Sequence, residues 1–155
     1  MIKLRLIIEE DRELLFGWRN LPEIIENSLS QKGVSWEEHD HWFSKCLSEM
    51  FFSCLPFIIV YKRKLIGHIR FEKRNDALCE VHIYLLGKYR DRKLGSEALE
   101  QGIEEVKKVW PGIVRIKACV QEDSYEGANF FMEHNFLAEN AEYEKCWVFF
   151  RLLNR

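Results

Sequence analysis

The residues best suited to chemistry in this 155-residue chain lie close together, between Glu80 and Ser96. Glu80, His82 and Tyr84 alternate along a strand-like run. The two-residue period of a strand puts all three on one face and Val81, Ile83 and Leu85 on the other. A carboxylate beside an imidazole can take up a proton and pass it on, because histidine titrates near neutral pH. The following turn contains Arg90, Arg92, Lys93 and Gly95 and leads into a helix. N–H groups at a helix start have no preceding turn to bond, so together with those cations they can converge on an anion such as phosphate. An ordinary solvated basic turn has the same pattern, since a loose glycine turn is a weak motif.

Other groups are less suggestive. His39 and His41 flank Asp40, but positions two apart diverge on a helix, so no metal site follows. The five cysteines, at 46, 54, 79, 119 and 146, include no C-x-x-C pair. They read as scattered buried thiols in a reducing compartment, with neither a zinc site nor a disulfide framework, and none stands in a Cys-His arrangement for covalent catalysis. No G-x-x-x-x-G-K-[ST] loop or carboxylate cluster points to a nucleotide hydrolase.

The elements that must position these groups can be read in order. Lys3 to Ile8 is a first strand. Leu14, Leu15 and Trp18 form one stripe of a helix that starts near Glu10 or Asp11, and Asn20-Leu21-Pro22-Glu23 interrupts it. Ser35-Trp36-Glu37-Glu38 has capping-box spacing and opens a helix through Trp42, Phe43 and Leu47. Phe57 to Tyr61, Leu65 to Glu72 and Ala77 to Leu86 make a three-stranded meander, turning at Lys62-Arg63-Lys64 and at Asn75-Asp76. A helix from Ser96 to Trp110, stopped by Pro111-Gly112, leads to a strand over Val114 to Val120. A short helix over Gly127 to His134 and a last strand, Cys146 to Leu153, complete an α/β order with helices packed on a mixed sheet. The last strand completes the sheet or pairs across a dimer.

Composition sets the outer limits. At 155 residues a single domain over 1–155 is expected. With 23 Lys and Arg against 25 Asp and Glu, a broad nucleic-acid surface is disfavoured. Met1 to Arg5 lacks the apolar core of a signal peptide and no apolar stretch is long enough to span a membrane, so a cytoplasmic location is expected.

The stretch Tyr89-Arg90-Asp91-Arg92-Lys93-Leu94-Gly95 resembles the pyrophosphate loop of the GCN5-related N-acetyltransferase (GNAT) superfamily. Arg90 and Gly95 match the loop, whereas Lys93 replaces a glycine. Trp18-Arg19-Asn20-Leu21-Pro22-Glu23, Ser35 to Phe43 and Ile66-Gly67-His68-Ile69-Arg70-Phe71 resemble segments of members that acetylate amino-sugar nucleotides for flagellin or surface glycans. Similar openings occur in members that acetylate ribosomal-protein N-termini.

The resemblance implies the GNAT fold, a mixed, mostly antiparallel central sheet flanked by helices, and acetyl-CoA as cofactor. It places the cofactor on Tyr84, Leu85, Leu86, Arg90, Asp91, Arg92, Lys93, Leu94, Gly95, Ser96, Ser124 and Phe131. It also implies direct attack by a small-molecule amine in a ternary complex, with no nucleic acid, membrane or metal involved and a homodimer allowed. Such attack calls for a base, with Glu80 and His82 leading, and for an acid to protonate the leaving thiolate. The family's usual acid tyrosine is replaced by Phe131, which leaves Tyr125, Tyr84, Ser124 or water. Ser124 stands where the family has Asn and also reads as a helix cap, and Asn135 replaces a glycine at a position that favours left-handed backbone. Arg19, Glu38 and Arg70 are acceptor-side suspects, while most of Trp18, Trp36, Trp42, Phe51 and Phe52 read as core. A nucleotide-linked amino sugar is the preferred acceptor. The alternatives are a protein N-terminus, or a noncatalytic acyl-CoA-binding module to which the Lys93 and Phe131 departures point.

Overall fold

In the computed structural model, which describes residues 1–90, 93–139 and 146–153, the chain opens with strand β1 (Ile2–Leu6). Asp11 then folds it back. Its carboxylate accepts hydrogen bonds from Ile8 N at 2.8 Å and Arg5 Nη1 at 2.9 Å, closing a 3-10 turn from which α1 (Arg12–Arg19) starts. The break expected at Asn20 to Glu23 is a change of helix. Pro22 sits in the first turn of α2 (Pro22–Asn27), where its missing N–H has no partner to lose. The capping box forms as the sequence indicates: Ser35 Oγ accepts from Glu38 N at 3.2 Å, the Glu38 carboxylate accepts from Ser35 N at 3.5 Å, and α3 runs Trp36–Ser48.

Strands β2 (Cys54–Tyr61), β3 (Lys64–Lys73) and β4 (Leu78–Leu85) form the antiparallel meander. Helix α4 (Leu94–Val109) crosses to β5 (Arg115–Gln121), followed by α5 (Tyr125–Glu133), β6 (Leu137–Glu139) and β7 (Cys146–Leu152). The sheet order is β1-β2-β3-β4-β5-β7-β6, with the β4–β5 pair parallel and the others antiparallel. Strand β7 lies between β5 and β6, so it completes the sheet, one of the two uses its sequence allowed. Strand β6 was not expected from sequence, since Leu137, Ala138 and Glu139 are all exposed and carry no alternation.

The sheet separates two apolar layers. Helix α4 covers Ile59, Ile69, Phe71, Val81 and Leu85 with Leu99, Ile103 and Val106, each of which gains about 1.5–3 kcal/mol from burial. On the other face Leu15, Trp18 and Phe43, from α1 and α3, pack over Ile58. Cys46 and Cys54 form a disulfide between the end of α3 and β2, with Cα atoms 5.9 Å apart. This corrects the expectation of five free thiols; Cys79, Cys119 and Cys146 are free. The helix end and strand start bring that pair together, a proximity that their spacing in sequence does not signal.

One irregularity sets the stage for chemistry. Registered pairing between β4 and β5 covers only Leu78↔Arg115, Cys79↔Ile116 and Glu80↔Lys117, although β4 continues to Leu85 and β5 to Gln121. The sheet therefore opens at Glu80, and the residues that follow it lie along the gap.

Candidate active site

The polar face of β3 and β4 lies toward α1 and α3. Antiparallel register sets Glu72 opposite Glu80, Arg70 opposite His82 and His68 opposite Tyr84. Two facing carboxylates repel, and the arginines between them offset this: Arg70 Nε lies 2.6 Å from Glu72, and Arg74 lies 3.3 Å from Glu72 and 3.2 Å from Glu80. Burial opposes ionisation of Glu80, but His82 and Arg74 outweigh it and hold the carboxyl down at about 2. His82 Nε2 is 3.2 Å from Glu80 Oε2, within ion-pair distance though outside hydrogen-bond geometry. Burial, reinforced by Arg70, lowers the His82 pKa, so the imidazole is neutral at neutral pH. The structure thus brings Glu80 and His82 together as a carboxylate–imidazole pair.

Below this network, α1, α3, β3 and β4 enclose a cavity of about 300 Å³. Arg19, Glu38, Trp42, His68, Arg70 and Tyr84 are among the residues that line it. The suspicion attached to Arg19, Glu38 and Arg70 thus has a physical place, and Trp42 proves to be a wall, with the Arg70 guanidinium 5.0 Å from its ring centre. Burial raises the Tyr84 pKa against the pull of Arg70 and Arg19, so the phenol keeps its proton. His68 is a residue that sequence reasoning missed. Its place opposite Tyr84 depends on β3–β4 register, which no local pattern specifies.

The anion-binding turn follows β4. Leu86 N donates to Ile66 O at 2.8 Å, so strand alternation turns the main-chain groups of Ile83 and Leu85 toward the gap and those of Tyr84 toward β3. Of Tyr84, Leu85 and Leu86, Leu85 turns its main chain toward the gap, Leu86 N bonds back to β3, and Tyr84 contributes its side chain to the cavity. Arg90 donates from Nε to Leu85 O at 3.4 Å and from Nη2 to Glu23 O at 3.3 Å, pinning the turn to α2. Asp91 and Arg92 lie outside the described residues. Lys93, at φ 60° and ψ 11°, takes the left-handed backbone that glycine adopts freely, and its side chain is exposed.

Helix α4 begins at Leu94, so the N–H groups of Leu94, Gly95 and Ser96 form its open first turn. A Cβ on Gly95 would meet Leu85 Cδ1 and Phe130 Cε1 at 3.4 Å, ordinary van der Waals contact, so Gly95 packs closely between β4 and α5. Ser96 Oγ lies 2.9 Å from His134 Nε2, whose Nδ1 lies 2.7 Å from Glu100, itself paired with Arg151 at 2.8 Å. This chain behind the turn joins α4, α5 and β7 and had no sequence signal.

Several expected site residues lie elsewhere. Phe131 is 7% exposed and packed among Phe130, Phe136 and Phe149, so it belongs to the core. Ser124 caps α5, accepting from Gly127 N at 3.3 Å. Tyr125, the first residue of α5, is 78% exposed. Asn135 adopts the left-handed backbone expected of it, at φ 66°. His39 is satisfied, its Nε2 lying 2.7 Å from Arg12 O, and no metal-binding cluster of His, Cys, Asp or Glu occurs among the described residues.

Comparison with known proteins decides the family. The Acetyltransferase (GNAT) family profile matches residues 20–136, three quarters of the chain, including the β3 and β4 side of the cavity, the open strand pair and the turn. The chain belongs to the GNAT family of acetyltransferases. It is 26% identical over 141 residues to Acetyltransferase PseH of Campylobacter jejuni subsp. jejuni serotype O:23/36 (strain 81-176), covering 88% of this chain and 85% of that protein. Its fold is similar to a domain from Methanocaldococcus jannaschii DSM 2661, with a TM-score of 0.85 and 22% identity over 99% of each chain. It is also similar to the spermidine N-acetyltransferase from Vibrio cholerae solved with CoA and spermine, with a TM-score of 0.83 and 14% identity over 97% and 95% of the chains. The α/β GNAT fold expected from sequence is therefore present. No helix among the described residues is long and apolar enough to cross a membrane.

Proposed function

We propose that this GNAT protein moves the acetyl group of acetyl-CoA to a primary amine by direct attack in a ternary complex. The observation that carries the reading is the opening of the sheet at Glu80, with the Glu80–His82 pair at its mouth and the first turn of α4 beyond Leu85. The residues fit the cofactor. Main chain of Ile83 and Leu85 faces the gap, and the N–H groups of Leu94, Gly95 and Ser96 offer a phosphate site with Lys93 beside it. Bound there, acetyl-CoA supplies an activated thioester.

His82 takes the proton of the attacking ammonium. As a neutral imidazole it can accept, whereas a Glu80 carboxyl held at about 2 is a feeble base and acts by positioning His82 and stabilising its charged form. Tyr84, buried with its proton retained, is the donor to the leaving sulfur. Replacing Glu80 by Gln should then lower kcat and move the acid limb of the pH–rate profile to lower pH. That shift follows because Glu80 is what raises the His82 pKa against burial and Arg70, so without its charge the imidazole gives up its proton at a lower pH.

For the acceptor we infer an anionic amine, with a nucleotide-linked amino sugar preferred. Arg19 and Arg70 on the cavity wall favour phosphate and disfavour a polyamine by like-charge repulsion. The test is thiol release from acetyl-CoA with UDP-glucosamine, spermidine, an N-terminal peptide or no amine. Turnover with the sugar nucleotide well above the others supports the reading. Preference for spermidine or the peptide would overturn the acceptor assignment, and release unaffected by any amine would overturn amine transfer.

A further inference from the structure

His68 is 1% exposed, yet among the described residues its Nε2 has no hydrogen-bond partner. The ring is held by a backbone carbonyl and two aromatic neighbours. Nδ1 lies 2.9 Å from Phe57 O, a geometry that places the proton on Nδ1 and leaves a lone pair on Nε2. Trp42 meets the ring edge-on at 6.0 Å between centres, and Tyr84 lies at 5.7 Å. Burial and the neighbouring Arg70 lower the His68 pKa to about 3, so this nitrogen remains an acceptor under ordinary conditions. A buried acceptor without a donor is costly, and His68 lines the same cavity as Arg19. The hydrogen bonds of Arg19 go to uncharged oxygens, Lys32 O at 3.0 Å and Ser30 Oγ at 3.4 Å, and Glu38 on the same wall attracts it without a salt bridge among the described residues, so the guanidinium stays open to an anion.

Resting on the acetyl-transfer reading above, we propose that His68 is a specificity-determining residue of the acceptor site. Its Nε2 accepts a hydrogen bond from an O–H or N–H of an amine whose anionic group is held by Arg19. A sugar phosphate carrying a free amine presents both features within one small molecule. A polyamine lacks the anion, and inorganic phosphate does not carry an O–H on a carbon frame that spans from Arg19 to His68. The cavity therefore selects for two groups at a fixed separation, and an acceptor that satisfies one of them binds weakly.

The test follows the imidazole nitrogens of histidine-labelled protein by NMR while UDP-glucosamine, glucosamine 1-phosphate, glucosamine or inorganic phosphate is added. The expected result is a shift of the unprotonated His68 Nε2 resonance with the two phosphorylated amino sugars and none with phosphate alone. By calorimetry, His68→Phe should bind glucosamine 1-phosphate at least tenfold more weakly, His68→Gln should recover most of that affinity, and acetyl-CoA binding should change by less than twofold in both. An unmoved Nε2 resonance with every amino sugar overturns the proposal, as does undiminished sugar-phosphate binding by folded His68→Phe. If His68→Phe does not fold, the wild-type resonance decides. Loss of acetyl-CoA binding by wild type would instead defeat the transferase reading and leave the His68 result to stand by itself.

Discussion

On the acceptor side, Glu72, Arg70, Arg74, Glu80 and His82 are crowded onto two strands, and their charges largely cancel. On the cofactor side, main-chain N–H groups from a single turn provide the binding surface, backed by Ser96, His134 and Glu100. The first region must hold protons at chosen atoms, so it needs titratable side chains whose neighbours fix their ionisation. The second must hold an anion whose charge does not change, and backbone dipoles do that without depending on pH. Substitutions that separate proton handling from anion binding therefore test the division.

The largest effect is expected at His82. His82→Asn should lower kcat by about 10²–10⁴-fold and leave the acetyl-CoA Kd within twofold, as measured by steady-state assay and calorimetry. A parallel loss of cofactor affinity would break the separation. Next comes acid stability. An unfolded histidine binds its proton from about pH 6.5 downward, whereas His68 in the fold does not until about 3. The unfolded state thus binds more protons across that interval, and stability falls as pH falls, by about 1.4 kcal/mol per pH unit from this residue. Glu80, held at about 2, adds stability above its ordinary range that is lost on further acidification. Urea midpoints of His68→Phe measured from pH 7 to 4 should show a shallower decline than wild type.

Smaller effects belong to the turn. Lys93→Glu places a carboxylate at the α4 N-terminus and should weaken acetyl-CoA by about tenfold without changing the pH–rate profile. Lys93→Gly removes left-handed strain and should raise stability by about 0.5–1 kcal/mol in urea unfolding, with cofactor affinity within threefold. A larger loss on Lys93→Gly would make the Lys93 ammonium itself a principal contact.

The same contrast explains what was legible in sequence. The turn from Arg90 to Gly95 is contiguous, so its pattern could be read directly, as could the Ser35 capping box and the alternation of Glu80, His82 and Tyr84. Even the Lys93 departure became intelligible once its backbone proved left-handed. His68, Glu72 and Arg74 reach the site only through β3–β4 register and the turn after β3, and the Ser96–His134 contact joins residues 38 positions apart. The burial of Phe131 was not legible because an aromatic in a family motif and an aromatic in a core share the same helical spacing. The exposure of Tyr125 was not legible because strand and helix order does not reveal which way the first residue of α5 points.

The most direct measurement is a calorimetric titration of acetyl-CoA into wild type and His82→Asn, followed by transfer to UDP-glucosamine in the same samples. We expect micromolar binding by both proteins and transfer by wild type alone. Absence of binding by folded wild type would contradict the assignment of the α4 turn, and equal transfer by His82→Asn would remove the proton-handling role from the Glu80–His82 pair.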